Sequence, residues 1–571
     1  MLLCPLLLCA SAAAQPASVV DSPHNLSAGG TGPVRATIED QVCIFCHAPH
    51  NAAPARPLWN RATPPGPYSI YTSPSLNAAP GQPTGNSKMC LSCHDGTIAL
   101  GSVVSRGTPI HMAAGITTIP PGASNLGTDL SDDHPVSFRY DPALAGKDPG
   151  LKDPSALPPQ VRLDHNSELQ CTSCHDSHSN ALGKFLVVRN DSSQLCLTCH
   201  QVGHTAVAGH GNCSDCHQPH TAPSGPFLLK RATVSETCLM CHDGSRAGAA
   251  NIAADLGKLS THDVRGTGAA GLSGPRGRIG FSGHASELDG TSCTDCHQPH
   301  TMGRGSAAAP AVHPSLGRIG GVNASGAAVT VASYESEVCF ACHGDKAATP
   351  PAVPRRIVQN NTRLEFSPSA VSSHPVQTPG RGAGAESPSL LPGWSAGSVM
   401  HCSSCHASES GRGGRGGGGA GGLRGSGAAG VHGSHFAPLL LARYETGDFT
   451  PESASAYGLC YQCHDRGSIL SDASFAGHRL HIVDHRTPCA ACHDAHGVSS
   501  TQGTPMANGH LINFATNIVF PDRVTGRLEY RDSGVFSGEC FLSCHGVDHS
   551  PKRYPAEPGG AVAPVRRPPR R

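Results

Sequence analysis

The chain has few of the side chains from which a protein interior is normally built. Of its 571 residues, aromatic residues make up 4% and hydrophobic residues 38%. Glycine (68 residues) and proline (48 residues) are abundant by comparison. A conventional core of aliphatic and aromatic side chains would be hard to build from this composition. We therefore expect something other than side chains to fill the interior.

The chain also lacks an excess of charge of either sign. Lysine plus arginine and aspartate plus glutamate number 41 each, so the formal net charge is zero. A balanced charge gives no reason to expect nucleic acid or an anionic membrane surface as a partner. We accordingly predict no nucleic-acid binding.

Long hydrophobic runs are missing as well. The apolar run at the N-terminus, MLLCPLLLCASAAAQP, is shorter than the about 20 residues that span a bilayer. It ends in three alanines, which is typical of a signal-peptide cleavage site and predicts a signal peptide over residues 1–14. Secretion across the inner membrane follows from this prediction, with lipidation at Cys9 as an open alternative.

Cysteine and histidine, in contrast, are plentiful, with 26 and 35 residues. Outside the presequence, the cysteines form twelve pairs, and each second cysteine directly precedes a histidine. Eleven pairs read C-x-x-C-H and the last reads C-x-x-x-C-H. The paired cysteines are Cys43 and Cys46, Cys90 and Cys93, Cys171 and Cys174, Cys196 and Cys199, Cys213 and Cys216, Cys238 and Cys241, Cys293 and Cys296, Cys339 and Cys342, Cys402 and Cys405, Cys460 and Cys463, Cys489 and Cys492, and Cys540 and Cys544. The histidines that follow are His47, His94, His175, His200, His217, His242, His297, His343, His406, His464, His493 and His545.

The C-x-x-C-H pattern is the signature of covalent attachment of haem c. Two thiols bond to the vinyl groups of one macrocycle, and the adjacent histidine reaches the iron. A zinc site would not require a histidine after every second cysteine, and a disulfide framework would leave some cysteines outside the pattern. We predict twelve covalently attached haems, which supply the missing apolar interior.

The motifs occur as six couples, and most first members have a second histidine three residues after the first. Three residues make about one helical turn, so this histidine lies on the same side of its own haem. We therefore expect it to ligate a neighbouring iron; a bond to a propionate is the alternative. In the fifth couple Glu409 takes this position, and His432, with His435 as alternative, follows the glycine-rich insert 411–430. The five histidines at this offset are His50, His178, His220, His300 and His496.

Each couple also has a histidine upstream of it. One upstream histidine and one downstream histidine per couple give as many distal ligands as there are haems, which predicts iron with two histidine ligands throughout. His210, His284, His478 and His549 remain alternatives. The predicted upstream ligands are His24, His134, His204, His262, His374 and His481.

These paired motifs resemble the doubled-CXXCH multihaem (dodecahaem) cytochromes c of metal-reducing bacteria. The stretches HNLSAGGTGPVRATIEDQVCIFCHAPH and CHDRGSIL through CFLSCHGVDH carry the resemblance. It implies a mostly irregular fold with short α-helices, in which six doubled-CXXCH units pack around stacked haems. It also implies a place in the periplasm, outer membrane or cell surface. The implied partners are other cytochromes, an outer-membrane porin or extracellular metal oxides, and self-assembly remains open.

The motif spacing divides the chain after the signal peptide into six dihaem units and a tail rich in proline and arginine. The predicted units are residues 15–133, 134–200, 201–258, 259–350, 351–470 and 471–552, and the tail is 553–571.

An iron with two histidine ligands has no open position for a substrate, so we predict an electron carrier and not an enzyme. The alternative is a reductase of a small oxyanion such as nitrite. Such an enzyme would need one five-coordinate haem with acidic and charged groups beside it, and the fifth or sixth couple would be its place.

Overall fold

The structure is a computed structural model that describes residues 18–50, 58–202, 210–223, 227–262, 264, 291–345, 353–379, 388–411 and 430–555. The predicted signal peptide, His204, His284, most of the glycine-rich insert and the tail from residue 556 lie outside the described residues. The chain divides into two compact units, residues 1–237 and 238–571. The finer division into six dihaem units stays a prediction.

Most of the described chain is irregular, and its helices are short, which confirms the expected loop-rich architecture. The α-helices are α1 Gly85–His94, α2 Pro142–Lys147, α3 Cys171–Cys174, α4 Cys196–Cys199, α5 Cys213–Cys216, α6 Val234–His242, α7 Ile252–Asp255, α8 Glu335–His343, α9 Thr362–Glu365, α10 Arg466–Leu470 and α11 Pro505–Asn508. Single 3₁₀ turns are Val19–Asp21, Cys43–Phe45, Ala113–Gly115, Pro154–Ala156, Cys293–Asp295, Pro314–Leu316, Cys402–Ser404, Glu409–Gly411, Cys460–Gln462, Cys489–Ala491 and Gly509–Leu511, and Leu480–Asp484 is a π-helix.

Two of the longest helices, α1 and α6, end at the histidine of a C-x-x-C-H motif. In both, the sequence continues with Asp-Gly, and the glycines have positive φ values of 72° (Gly96) and 91° (Gly244). Glycine adopts this left-handed conformation without a steric penalty, so it stops a helix efficiently. The CHDG phrase therefore marks where these helices end.

Strands are mostly two-residue fragments, which pair β1–β2 in parallel and β3–β4, β5–β9, β6–β7 and β8–β10 antiparallel. The last three strands form a longer antiparallel sheet in the order β11–β12–β13. The bounds are β1 Ser69–Ile70, β2 Asp129–Leu130, β3 Phe138–Arg139, β4 Glu168–Leu169, β5 Ser260–Thr261, β6 Gly321–Val322, β7 Ala328–Val329, β8 Ser372–Ser373, β9 Gly433–Ser434, β10 Gly497–Val498, β11 Glu529–Gly534, β12 Ser537–Cys544 and β13 Val547–Tyr554.

The side-chain core is divided into small clusters. The C-terminal sheet has a cluster of six buried residues, which includes Phe514, Ile518, Val519, Tyr530 and Leu542. The other clusters of the described residues contain three or four buried residues each. Among the described residues, no helix has the length and apolar character that a membrane crossing requires.

Candidate haem sites

Eleven of the twelve motifs share one local structure, a helical turn that contains the two cysteines. In eight of them, such as the Cys43–His47 motif, the histidine N–H donates to the carbonyl of the first cysteine over 2.8–3.0 Å. Residues three and four apart in a helical turn are neighbours on its surface. The turn therefore presents both sulfurs and the imidazole on one side, as attachment to one edge of a macrocycle requires.

The thiols of these motifs differ in exposure and in their neighbours. Cys342 at the end of α8 is exposed, as is Cys43, whereas the other motif cysteines are half-buried. Cys241 on α6 has a polar neighbour, because Arg246 Nη1 donates to its Sγ over 3.3 Å. The thioether bonds of all twelve motifs stay predictions, and a bound macrocycle would have to cover Cys342.

The twelfth motif has a different structure. Cys540 and Cys544 lie on strand β12, and His545 and Gly546 form the tip of the β12–β13 hairpin. Their φ values of 49° and 79° are those of a two-residue turn in which both residues are left-handed. This motif therefore lies on a hairpin, whereas the other eleven lie on helical turns.

The motif histidines face second histidines across gaps of nearly constant width. In ten of the twelve motifs the two ring centroids lie 6.1–6.5 Å apart. Two metal–nitrogen bonds of about 2.0–2.1 Å and the radii of two imidazole rings add to roughly 6.4 Å. Each gap thus fits one iron with two axial imidazoles. The pairs, motif histidine first, are His47–His178, His94–His24, His175–His220, His200–His134, His297–His432, His343–His262, His406–His496, His464–His374, His493–His478 and His545–His485.

Eleven candidate ligand histidines, nine of which belong to these pairs, bond to the protein backbone through Nδ1. Their Nδ1 atoms lie 2.6–3.2 Å from a main-chain carbonyl oxygen, to which Nδ1–H donates. Such bonds orient the ring of a metal ligand and leave the lone pair on Nε2. The histidines concerned are His24, His94, His134, His175, His217, His242, His262, His297, His374, His406 and His493.

Two distal histidines use a carboxylate in place of a carbonyl. His220 Nδ1 lies 2.9 Å from Asp133 Oδ1, and His496 Nδ1 lies 3.5 Å from Glu365 Oε2. Burial alone would lower the pKa of His496, but the hydrogen bond and charge of Glu365 raise it above the usual value. A carboxylate acceptor makes an imidazole a stronger electron donor to a metal.

Burial keeps most of the paired histidines neutral, which ligation of a metal requires. Burial lowers the pKa of His134, His406, His432 and His464 to about 4, and neighbouring histidines add to the shift. The pKa of His478 falls to about 3 for the same reasons. These imidazoles are therefore free of a proton on one nitrogen at neutral pH.

Three of the five histidines that lie three residues beyond a motif face the histidine of another motif. His178 faces His47, and His220 faces His175, the histidine of the motif that His178 follows. In the second unit His496 faces His406. Each thus lies opposite the first-member histidine of the preceding couple, in agreement with the stereochemical argument that it cannot reach round its own haem.

The upstream histidines face the second member of their couple. His24 lies opposite His94 and His134 opposite His200 in the first unit. In the second unit His262 and His374 lie in the same way opposite His343 and His464. These upstream histidines therefore lie opposite the second motif of a couple, whereas the downstream histidines lie opposite the first motif of a couple.

In the fifth couple the two candidates that follow the insert have separate roles. His432 faces His297 at 6.1 Å. His435 instead donates from Nδ1 to Glu409 Oε1 over 2.6 Å, and the same carboxylate lies 3.1 Å from the buried Lys258 Nζ. The glutamate at the position of the missing histidine therefore anchors the chain that returns from the insert.

In the sixth couple the structure differs from the expected assignment. His478, which was the alternative, faces His493 at 6.5 Å, and the predicted His481 faces His549 at 6.3 Å. His485, which the sequence analysis missed, faces His545 at 6.3 Å. The stretch HRLHIVDHRTPC has histidines at steps of three and four residues, which is the spacing of one helical face. That spacing was the signal for a cluster of ligands.

Two further predicted ligands, His50 and His300, differ in exposure. His50 is exposed, and His300 is half-buried with its backbone N–H 3.4 Å from Gln298 Oε1. The distal ligands of His217 and His242 stay predictions, as do the roles of His50 and His300.

A cavity of about 400 Å³ opens beside the first motif, lined by Cys43, Ile44, His47, His50 and Leu58 among others. Cofactor sites are concave and mostly apolar, with volumes in this range. The cavity therefore offers space for a macrocycle beside His47, the histidine that faces His178.

Two adjoining segments, residues 165–203 and 204–247, match the family described as Doubled CXXCH motif. They contain the third to sixth motifs. No curated protein matches the chain. The matched segments support a multihaem cytochrome of the c type, and the CXXCH motifs imply covalently bound haem c.

Proposed function

We propose that the protein is an electron carrier that holds twelve haem c groups, each with two axial histidines. The observation that carries this proposal is the 6.1–6.5 Å spacing between nine motif histidines, all but His217, His242 and His545, and their partners. An iron filled on both faces exchanges electrons without binding a substrate. The chain's own contribution is to orient each imidazole through Nδ1 and to exclude water by burial.

The haems follow the order of the chain within each unit. The support is that cysteines of consecutive motifs approach one another, as where a hydrogen bond with Cys171 raises the pKa of Cys90. Within a couple the second cysteine of the first motif approaches a cysteine of the second motif, and between couples first cysteines meet. The first-unit neighbours are Cys46–Cys93, Cys90–Cys171, Cys174–Cys199 and Cys196–Cys213. The second-unit neighbours are Cys296–Cys342, Cys339–Cys402, Cys405–Cys463, Cys460–Cys489 and Cys492–Cys544.

Histidine pairs without a methionine ligand favour low reduction potentials, and the surroundings then spread them. Asp133 and Glu365 place negative charge behind two of the distal imidazoles. The irons that these imidazoles ligate, on His175 and His406, should have the more negative potentials. A graded set of potentials suits a carrier that passes electrons in both directions.

The site of action follows from the predicted signal peptide and from the family resemblance. The protein is exported, receives electrons from a periplasmic or outer-membrane redox protein, and passes them to another cytochrome, a porin-bound complex or an extracellular metal oxide. The acceptor is a one-electron partner that docks against a haem edge.

The test uses the intact holoprotein. Haem is counted by pyridine haemochrome absorbance and by the mass of the intact chain, and EPR with resonance Raman spectra gives the spin state of each iron. We expect twelve haems per chain, all low-spin and six-coordinate, with reversible voltammetric waves at low potential.

The competing reductase is tested on the same sample. Turnover of nitrite or hydroxylamine with a reduced dye, together with a high-spin haem in a fully loaded chain, would overturn the carrier assignment. Rapid electron transfer to a soluble iron(III) chelate or to ferrihydrite without such turnover supports it.

A further inference from the structure

Four histidines surround the space next to the hairpin of the twelfth motif. His481 and His485 lie about one turn apart at the π-helix Leu480–Asp484, and His545 and His549 flank the hairpin tip. Two ring pairs of equal spacing result, His485–His545 and His481–His549, each with centroids 6.3 Å apart. One attached macrocycle therefore has two alternative pairs of axial ligands.

His545, the motif histidine of the first pair, makes a hydrogen bond through Nε2, the nitrogen by which the other candidate ligands would bind iron. His545 Nε2 lies 3.0 Å from both carboxylate oxygens of Asp448, to which it donates. The Phe449 ring stacks on the His545 ring at 4.7 Å. The other motif histidines with a described bond to the protein use Nδ1 for it, so His545 departs from the pattern of a ligand.

His481, in contrast to His545, makes its hydrogen bond through Nδ1. Its Nδ1 donates to the Gly477 carbonyl oxygen over 2.7 Å, which leaves the Nε2 lone pair available. Across the gap, His549 pairs with Leu542 on the neighbouring strand. Residues directly opposite in an antiparallel pair share a face of the sheet, so His549 lies on the face of Leu542.

Leu542 also places the two cysteines of the motif. Cys540, Leu542 and Cys544 alternate along β12, and alternate residues of a strand share a face. All three pack in the same cluster, next to Cys492 of the eleventh motif. The hairpin therefore presents His549 on the side from which the thiols would hold a macrocycle.

We propose that the iron of the haem carried by Cys540 and Cys544 is ligated by His481 and His549. His545, the histidine of the motif, instead fastens the hairpin tip to Asp448. The proposal rests on the proposed function only in that a haem is attached at this motif. It extends the set of axial ligands beyond the histidines that follow the cysteines.

The test compares two substitutions one helical turn apart, neither of which alters the attachment motif. The holoprotein is prepared as wild type, His481→Ala and His485→Ala, and the haem count is verified for each. EPR and resonance Raman spectra then give the number of high-spin irons. We expect one high-spin haem per chain for H481A and none for H485A.

The hairpin side supplies a second pair of variants. H549A should also produce one high-spin haem, whereas Asp448→Ala should leave every haem low-spin and lower only the protection of the hairpin amides in hydrogen exchange. A high-spin haem in H485A, or spectra of wild-type form in both H481A and H549A, would overturn the proposal.

The premise is verified separately by proteolysis and mass spectrometry of the peptide that contains Cys540 and Cys544. A peptide without haem would overturn the proposal and leave the electron carrier with its other haems intact. A haem on this peptide, together with a substrate-reducing activity, would instead contradict the proposed function and leave the ligand assignment standing.

Discussion

The eleven helical motifs and the twelfth motif on the hairpin differ by one residue between the cysteines. The difference shows that the helical turn serves to bring the imidazole close to the thiols. A helix turns about 100° per residue, so C-x-x-C-H brings the histidine back close to the direction of the first cysteine. With one more residue, the histidine of C-x-x-x-C-H would point roughly 140° away from it. A helical turn would therefore separate the imidazole from the thiols, and the chain adopts a hairpin instead.

The two kinds of motif also differ in what holds their surroundings together. The buried clusters away from the C-terminal sheet contain three or four residues each, so we expect a macrocycle to supply the missing apolar contacts there. The eleventh motif is helical but contributes Ala491 to the six-residue cluster. The hairpin belongs to a three-stranded sheet with the six-residue cluster that includes Tyr530 and Leu542. We expect the helical regions to depend on haem for their structure and the C-terminal sheet to depend on it much less.

The largest effect should come from removing the attachment cysteines. In the double variant Cys171→Ser, Cys174→Ser the third haem is lost, and the segment around residues 165–200 should lose nearly all protection in hydrogen exchange, because its core includes the macrocycle. In Cys540→Ser, Cys544→Ser one haem is lost too, yet the amides of β11–β13 should stay protected. Equal loss of protection in both variants would contradict the comparison.

A core truncation tests whether side chains hold the sheet. Leu542→Ala removes a buried side chain, 6% exposed, and should lower the free energy of unfolding of the C-terminal sheet by about 2–5 kcal/mol. Val547→Ala, at a side chain 41% exposed, is the matched control and should change it by less than about 0.5 kcal/mol. Urea titration followed by hydrogen exchange of β12 measures both. A small effect of L542A would mean that haem holds this region as well.

Acid should weaken the helical regions more than the sheet. The pKa of His134, His406, His432 and His464 is about 4 in the folded chain, below the usual 6.5, because these rings are buried. The unfolded chain therefore takes up protons first, so the stability that these groups contribute is present above about pH 6.5 and is lost as the pH falls towards 4.

High-spin haem and amide exchange, measured from pH 7.5 to 4.5, report this loss. Within the sheet strands His549 is the one described histidine with such a lowered pKa, so β11 and β12 should keep their protection longest. Protection that disappears first in the sheet would reverse the comparison.

The smallest effect concerns the tuning of single helical motifs. Glu365→Gln removes the negative charge behind His496 and should move the potential of the haem on His406 in the positive direction. The expected shift is on the order of 60 mV, a tenfold change in a one-electron equilibrium. Spectroelectrochemistry measures it, with the exposed Glu236→Gln as control. An unchanged potential in E365Q would show that this carboxylate does not tune the iron.

The spacing of residues along the chain predicted candidate ligands well where the choice depended only on neighbouring residues. The preference for His432, after Glu409 replaced the expected histidine, agrees with the ring pair His432–His297. In the sixth couple the same reasoning selected His481, whose ring faces His549, whereas His478 and His485 face the motif histidines. Three histidines within one short helical stretch are equivalent in spacing, and only the packing of the stretch distinguishes them.

The sequence by itself determined the attachment chemistry, since two thiols and an imidazole within five or six residues define a haem site without reference to the rest of the chain. The tertiary structure decided which histidine lies opposite each of ten motif histidines. The pairs His47–His178 and His297–His432 join residues more than a hundred positions apart, and no local pattern specifies such a contact. It also decided that Cys540 and Cys544 lie on a strand, because a sheet forms only when its partner strands pack against it.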